Sequence, residues 1–155
     1  MTRRGASFLG PGLLACLVGS LIILTGCTVP AAPDRAAWRS QAAQALEDTA
    51  SDVATVELVL RQERQDRLPG KYALVVAVDS EESAGKSGEA FTSLQPPPGQ
   101  RAAYDRVGQL LDDAQGLLSE ARIALADGAT GDYPPLIARL ARLGDRLERV
   151  QGRFG

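Results

Sequence analysis

The chain contains no histidine, and this absence removes more chemistry than any single residue present supplies. Without imidazole there is no Ser-His-Asp or Cys-His catalysis, no general base with an ordinary pKa near neutrality, and no usual zinc or haem ligand. The Glu-x-x-His pairs of di-iron bundles are excluded with them. Cysteine is nearly absent too: only Cys16 and Cys27 occur, both in the first 27 residues. Lysine is limited to Lys71 and Lys86, so arginine carries the positive charge. Aromatics make up 5% of the chain, which leaves a core of Leu, Val and Ala. Outside the N-terminal leader, one continuous apolar run is present, Tyr72 to Val78. A lone β-like run has no strand to pair with.

What is present first is that leader. Arg3 and Arg4 precede an apolar stretch from Phe8 to Leu24, whose uninterrupted core is too short for the roughly 20 residues of a membrane span. A positive start, an apolar centre and small residues at the end form the tripartite layout of a secretory signal. The stretch ends in Leu24-Thr25-Gly26-Cys27. This tetrapeptide resembles the lipobox of bacterial lipoproteins. The resemblance implies that residues 1–26 are a signal peptide, that Cys27 receives a diacylglyceryl group on its sulfur, and that Cys27 becomes the new N-terminus. It further implies a membrane partner held through that lipid, at the extracytoplasmic face of the cell membrane. The Arg3-Arg4 pair also invites comparison with twin-arginine signals. Phe8-Leu9 follows too late for that pattern, so the general secretion route is expected and the domain folds outside the cytoplasm. Thr28 gives no signal for retention at an inner membrane. Heavy use of Arg, Ala and Gly gives the whole chain a texture similar to small lipoproteins of actinobacteria.

Removal of the first 26 of 155 residues leaves 129, one domain by length and large enough to bury a core without a staple. Cys16 leaves with the leader and Cys27 is lipidated, so no disulfide is expected. Loss of Arg3 and Arg4 turns the formal charge of −2 into −4. Nucleic-acid binding needs clustered positive charge and is not expected.

Residues 27–33 read as the lipidated cysteine and a short tether with Pro30 and Pro33. Residues 34–155 read as the folded domain. Asp34 is placed to cap a helix, and Trp38, Ala42, Ala45, Thr49, Val53, Val56 and Leu60 recur on one face of it. The spacing predicts a helix to about Arg67, stopped by Leu68-Pro69-Gly70. Lys71 to Leu94 is ambiguous, because Tyr72 to Val78 has strand propensity. With no second strand, a helix is expected, with Tyr72, Val75, Val76, Asp79, Ser83, Ser87, Ala90, Phe91 and Leu94 inside and a break near residues 84–88 at Gly85 and Gly88. Pro96-Pro97-Pro98-Gly99 is a turn. A third helix follows, with Ala103, Val107, Leu110, Leu111, Ala114, Leu117, Leu118, Ala121 and Leu125 inside and an end at Asp127-Gly128. Pro134 and Pro135 suit the first turn of a fourth helix, whose inner face is Leu136, Leu140, Leu143, Leu147, Val150 and Phe154. Four helices with short connections predict an all-α fold, an up-and-down antiparallel four-helix bundle.

Candidates for chemistry are few. An apolar run followed by Gly85-Lys86-Ser87 looks like a phosphate-binding loop, but Ser80 stands where its first glycine belongs. Glu81 and Glu82 would repel phosphate, so no nucleotide is expected. Asp112-Asp113 and Glu81-Glu82 are adjacent pairs that do not share a helix face. Asp48 and Asp52, one turn apart, offer too few oxygens for calcium. The expectation is a protein without catalytic residues, metal or cofactor.

Two features suit binding. Arg139, Arg142, Arg146 and Arg149 form a row that would meet an acidic partner or anionic headgroups, or be paired by Asp145 and Glu148 as an ordinary solvated face. The Tyr72 to Val78 run is either deeply buried or partly an exposed patch for a partner, with burial favoured. Trp38 either seals the bundle end or touches the membrane interface. The sequence therefore points to an envelope lipoprotein acting as a protein-interaction or accessory module with an envelope partner. The alternative is a carrier of a small apolar ligand or lipid, in a groove left by the Ala-rich first and third helices against the Leu-rich fourth.

Overall fold

The computed structural model describes residues 34–154; the leader, the lipobox and the tether lie outside them. The fold is all-α. Among the described residues four helices follow one another: α1 (Arg35–Glu63), α2 (Gly70–Thr92), α3 (Arg101–Asp127) and α4 (Tyr133–Gln151), with a 3₁₀ turn (Thr130–Asp132) before the last. No strand occurs among the described residues.

Local chemistry sets the helix ends. The Asp34 carboxylate accepts from the Ala37 amide at 2.7 Å, satisfying one of the donors a helix start leaves free. The close of α1 comes earlier than the proline predicts. Asp66 adopts a left-handed conformation (φ 54°), while the Arg67 amide donates to the Gln62 carbonyl and the Asp66 amide to that of Glu63, both at 2.9 Å. This is a Schellman closure. Pro69 and Gly70 do not stop α1; they start α2, with Pro69 as its extended N-cap. At the end of α3, Gly128 (φ 63°) makes the same closure, the Ala129 amide reaching the Ala124 carbonyl at 2.9 Å. Pro134 and Pro135 occupy the first turn of α4, where missing donors cost nothing.

The helices run up and down as an antiparallel bundle. Glu120 and Asp113 of α3 pair with Arg139 and Arg146 of α4, so the partners are one heptad apart on each helix and run in opposite directions. Neighbours in sequence are neighbours in space, and α4 closes back on α1. The cross-section is a rhombus: α1 also touches α3, whereas α2 and α4 do not meet. The buried positions of both α1 and α3 include small residues, Ala42, Ala45 and Thr49 on the first and Ala114 and Ala121 on the second.

The predicted faces of α1, α3 and α4 are buried, apart from Ala103, Val150 and Phe154, which are half-buried. Leu46, Val59, Ala124 and Ile137 join them. The face of α2 is corrected. Its buried residues are Ala73, Ala77, Ser80, Ala84 and Phe91. Of the predicted set only Phe91 is buried; Val76, Ser87 and Leu94 are half-buried, and Tyr72, Val75, Asp79, Ser83 and Ala90 are exposed. The bulky side chains of α1 and α3 fill the interior, so α2 turns its small residues inward and lies close. The expected break near residues 84–88 is also absent, and α2 is continuous through Gly85 and Gly88.

Candidate functional site

Three surface features bear on binding. The first is the outer face of α2. Ala73 and Ala77 face inward, and the helical period then carries Tyr72, Val75 and Val78 outward. They are 56%, 56% and 42% exposed. Of the Tyr72 to Val78 run, expected to be the bundle's most buried turn, only Ala73 and Ala77 are buried, and Leu74 and Val76 are half-buried. Lys71 lies over the Tyr72 ring, its ammonium 5.3 Å from the centroid, and leaves the apolar side of Val75 uncovered. Spacings of four, three and four between Ala73, Ala77, Ser80 and Ala84 are the signal that would have found this arrangement. They mark a heptad-like seam of small residues, which an inspection for large apolar side chains passes over.

The second feature is the arginine row. Arg139, Arg142, Arg146 and Arg149 are exposed on α4, but their partners are not Asp145 and Glu148. Arg139 donates to both carboxylate oxygens of Glu120, and Arg146 reaches Asp113 at 3.4 Å. The hydrogen bonds from Arg139 hold the Glu120 carboxyl below its usual range, with slight burial opposing, and raise the guanidinium in return. Between these pairs runs an open groove of about 540 Å³, lined by Arg139, Arg142, Arg146, Asp112, Asp113 and Glu120. Three cations face three anions, so the groove is zwitterionic. Arg142 makes no ion pair among the described residues.

The third is an open groove of about 380 Å³ between α1 and α2, with Ala45, Ala90, Phe91 and Leu94 on its floor and Gln44, Asp48 and Lys86 at its edges. It lies elsewhere than the expected groove of the first and third helices against the fourth.

The remaining sequence candidates are dispersed. Gly85, Lys86 and Ser87 lie inside α2, where their amides are engaged in the helix and cannot cradle a phosphate. Glu81 accepts from Arg122 of α3, and Glu82 pairs with Lys86 at 2.7 Å. Asp48 accepts from Gln44 at 2.8 Å. Asp52, half-buried one turn on, has its carboxyl pushed up by burial, with the Ser83 hydroxyl opposing and Asp48 adding to the rise. Burial and the nearby Glu63 push the Tyr133 hydroxyl up to about 12. Trp38 is fully buried against Phe91 and Phe154, so it seals the bundle end. No described helix is long and apolar enough to cross a membrane. Comparison with protein families, characterised proteins and solved structures gave no match.

Proposed function

We propose that this chain is a lipid-anchored protein of the cell envelope. Its helical domain acts as a non-catalytic interaction or accessory module and docks an envelope protein through the outer face of α2. The observation that carries this reading is the placement of Tyr72, Val75 and Val78 in solvent on successive turns of one helix. A contiguous apolar stripe on an outer face is the usual mark of a binding surface. The anchor rests on Leu24-Thr25-Gly26-Cys27: two acyl chains on Cys27 hold a protein stably at a membrane where one does not.

A photo-crosslinking amino acid at Val75 of the full chain, in living cells, tests the docking face. The expected result is a reproducible adduct with an envelope protein that does not form when the same group replaces the exposed Ala54 of α1. Equal adducts at both positions, or none at Val75, would remove this face from the reading. Cys27→Ser is expected to abolish lipidation and release the protein or leave its precursor; unchanged membrane retention with normal processing would refute the anchor.

The groove between α1 and α2 favours a second reading, a carrier of a small apolar ligand or lipid. Phe91 and Leu94 supply an apolar floor of a size that takes a small ligand. Mass spectrometry of organic extracts of the purified protein, with Ala90→Arg as the blocked control, tests it.

A further inference from the structure

The outer face of α2 matches itself under a half-turn, and from this we infer that its partner is a second copy of the same chain, packed antiparallel about Val75. The inference rests on the reading of this face as the docking surface. Val75 is the midpoint of a symmetric arrangement: Tyr72 and Val78 lie three residues to either side, and Lys71 and Asp79 four residues to either side. Lys71 and Asp79 are both exposed, and neither makes an ion pair among the described residues. Eight residues separate them, roughly 12 Å along the axis, too far for a pair within one helix.

A two-fold axis through Val75, perpendicular to the helix, reverses the second copy. Val75 then meets its own counterpart. Tyr72 stands at the level of Val78 of the second copy, and Lys71 at the level of its Asp79, within reach of the long lysine side chain. The contact is isologous, with an apolar centre closed by an ion pair at each end. A parallel arrangement would instead oppose Lys71 to Lys71 and Asp79 to Asp79, so the same charges that favour one pairing reject the other.

Three partly exposed side chains cover far less than the roughly 800 Å² per partner of a stable soluble complex. The pair is therefore weak in free solution and depends on confinement, which anchoring in one membrane supplies as a raised effective concentration. The half-turn puts the two Asp34 ends at opposite ends of the pair. The seven steps from Cys27 to Asp34 reach at most roughly 25 Å, enough for both anchors when the bundles lie along the membrane.

The test places Val75→Cys in the full chain, expressed in membranes and mildly oxidised, with the wild-type chain as background. A disulfide-linked dimer above that background is expected. Lys71→Asp or Asp79→Lys, each added to Val75→Cys, puts like charges opposite one another at both ends and should return the dimer to background. The double exchange restores opposite charges and should recover it. All three positions are exposed, so the variants fold, and equal amounts in the membrane confirm that. No dimer above background, a dimer indifferent to the single exchanges, or no recovery in the double exchange would each overturn self-pairing. If the photo-crosslinker at Val75 then still captures a different envelope protein, the docking face stands and only the second copy falls; without either product, both fall.

Discussion

The indole of Trp38, near the start of α1, meets the ring of Phe154, beyond the end of α4, edge to face with centroids 5.8 Å apart. Phe91 of α2 lies 6.1 Å from the same indole, and Tyr104 of α3 stacks on Phe91 at 5.3 Å. α1, α2 and α3 thus each send one aromatic ring to this end of the bundle, and the segment after α4 supplies the fourth. The Tyr104 hydroxyl also donates to the Thr92 carbonyl at 2.6 Å, satisfying a group at the close of α2.

Trp38→Ala removes the hub of this cluster. A fully buried aromatic replaced by alanine costs about 3–5 kcal/mol, which should lower the urea midpoint severely. Trp38→Phe keeps much of the volume and should cost clearly less. Denaturation followed by far-ultraviolet circular dichroism ranks the two.

Gly85 lies against α3 with room for a small side chain. A Cβ added there would stand 3.4 Å from the far end of the Gln115 side chain, and one at Gly88 would stand 3.9 Å from Leu111 Cβ. Replacing a helical glycine by alanine gains about 0.5–1 kcal/mol. Gly85→Ala and Gly88→Ala should each raise the melting temperature, whereas Gly85→Leu should lower it by displacing Gln115. A lower melting temperature for both alanine variants would mean that the α2–α3 contact is tighter than this.

Asp52 gives the domain a pH dependence of opposite sign to that of a salt-bridged carboxylate. Its folded pKa is raised above 3.8, chiefly by burial, so the native state holds the proton more tightly than the unfolded chain. Its favourable contribution is present in full below pH 3.8 and is lost as pH rises through the raised value. At pH 7 the native state carries the cost of a half-buried charge. Asp52→Asn should therefore stabilise the protein at pH 7, with the difference shrinking as the pH is lowered. Paired urea titrations across that range read it directly.

Glu120 and Arg139 supply the contrasting case. The Glu120 carboxyl is lowered from 4.5 by the hydrogen bonds from Arg139, so its contribution is present above pH 4.5 and lost as pH falls through the lowered value. Both side chains are about half exposed, and a double-mutant cycle with Glu120→Gln and Arg139→Gln should return a coupling of only about 0.2–1 kcal/mol. Added salt should weaken it further.

Much of this molecule is legible in the chain. Asp34, Pro134, Pro135 and Gly128 mark helix ends because capping and proline chemistry act within a few residues. Leu and Val at intervals of three and four mark the inner faces of α1, α3 and α4, because only one side of each helix offers enough apolar area to bury. The four-helix count and the antiparallel order follow from these elements and the short turns between them. The proposed anchor at Cys27 likewise rests on sequence alone.

Tertiary structure decided the rest. In α2 the larger apolar residues Tyr72, Val75 and Val78 lie on one side and the small Ala73, Ala77, Ser80 and Ala84 on another. Hydrophobicity within the helix favours burying the first set. The space left by Leu and Val of the neighbouring helices admits only the second, and volume in a close-packed interior overrides a local preference. The partners of Arg139 and Arg146 were hidden for a related reason. Glu120 and Asp113 lie 19 and 33 residues away, and only the register of α3 against α4 brings those charges together.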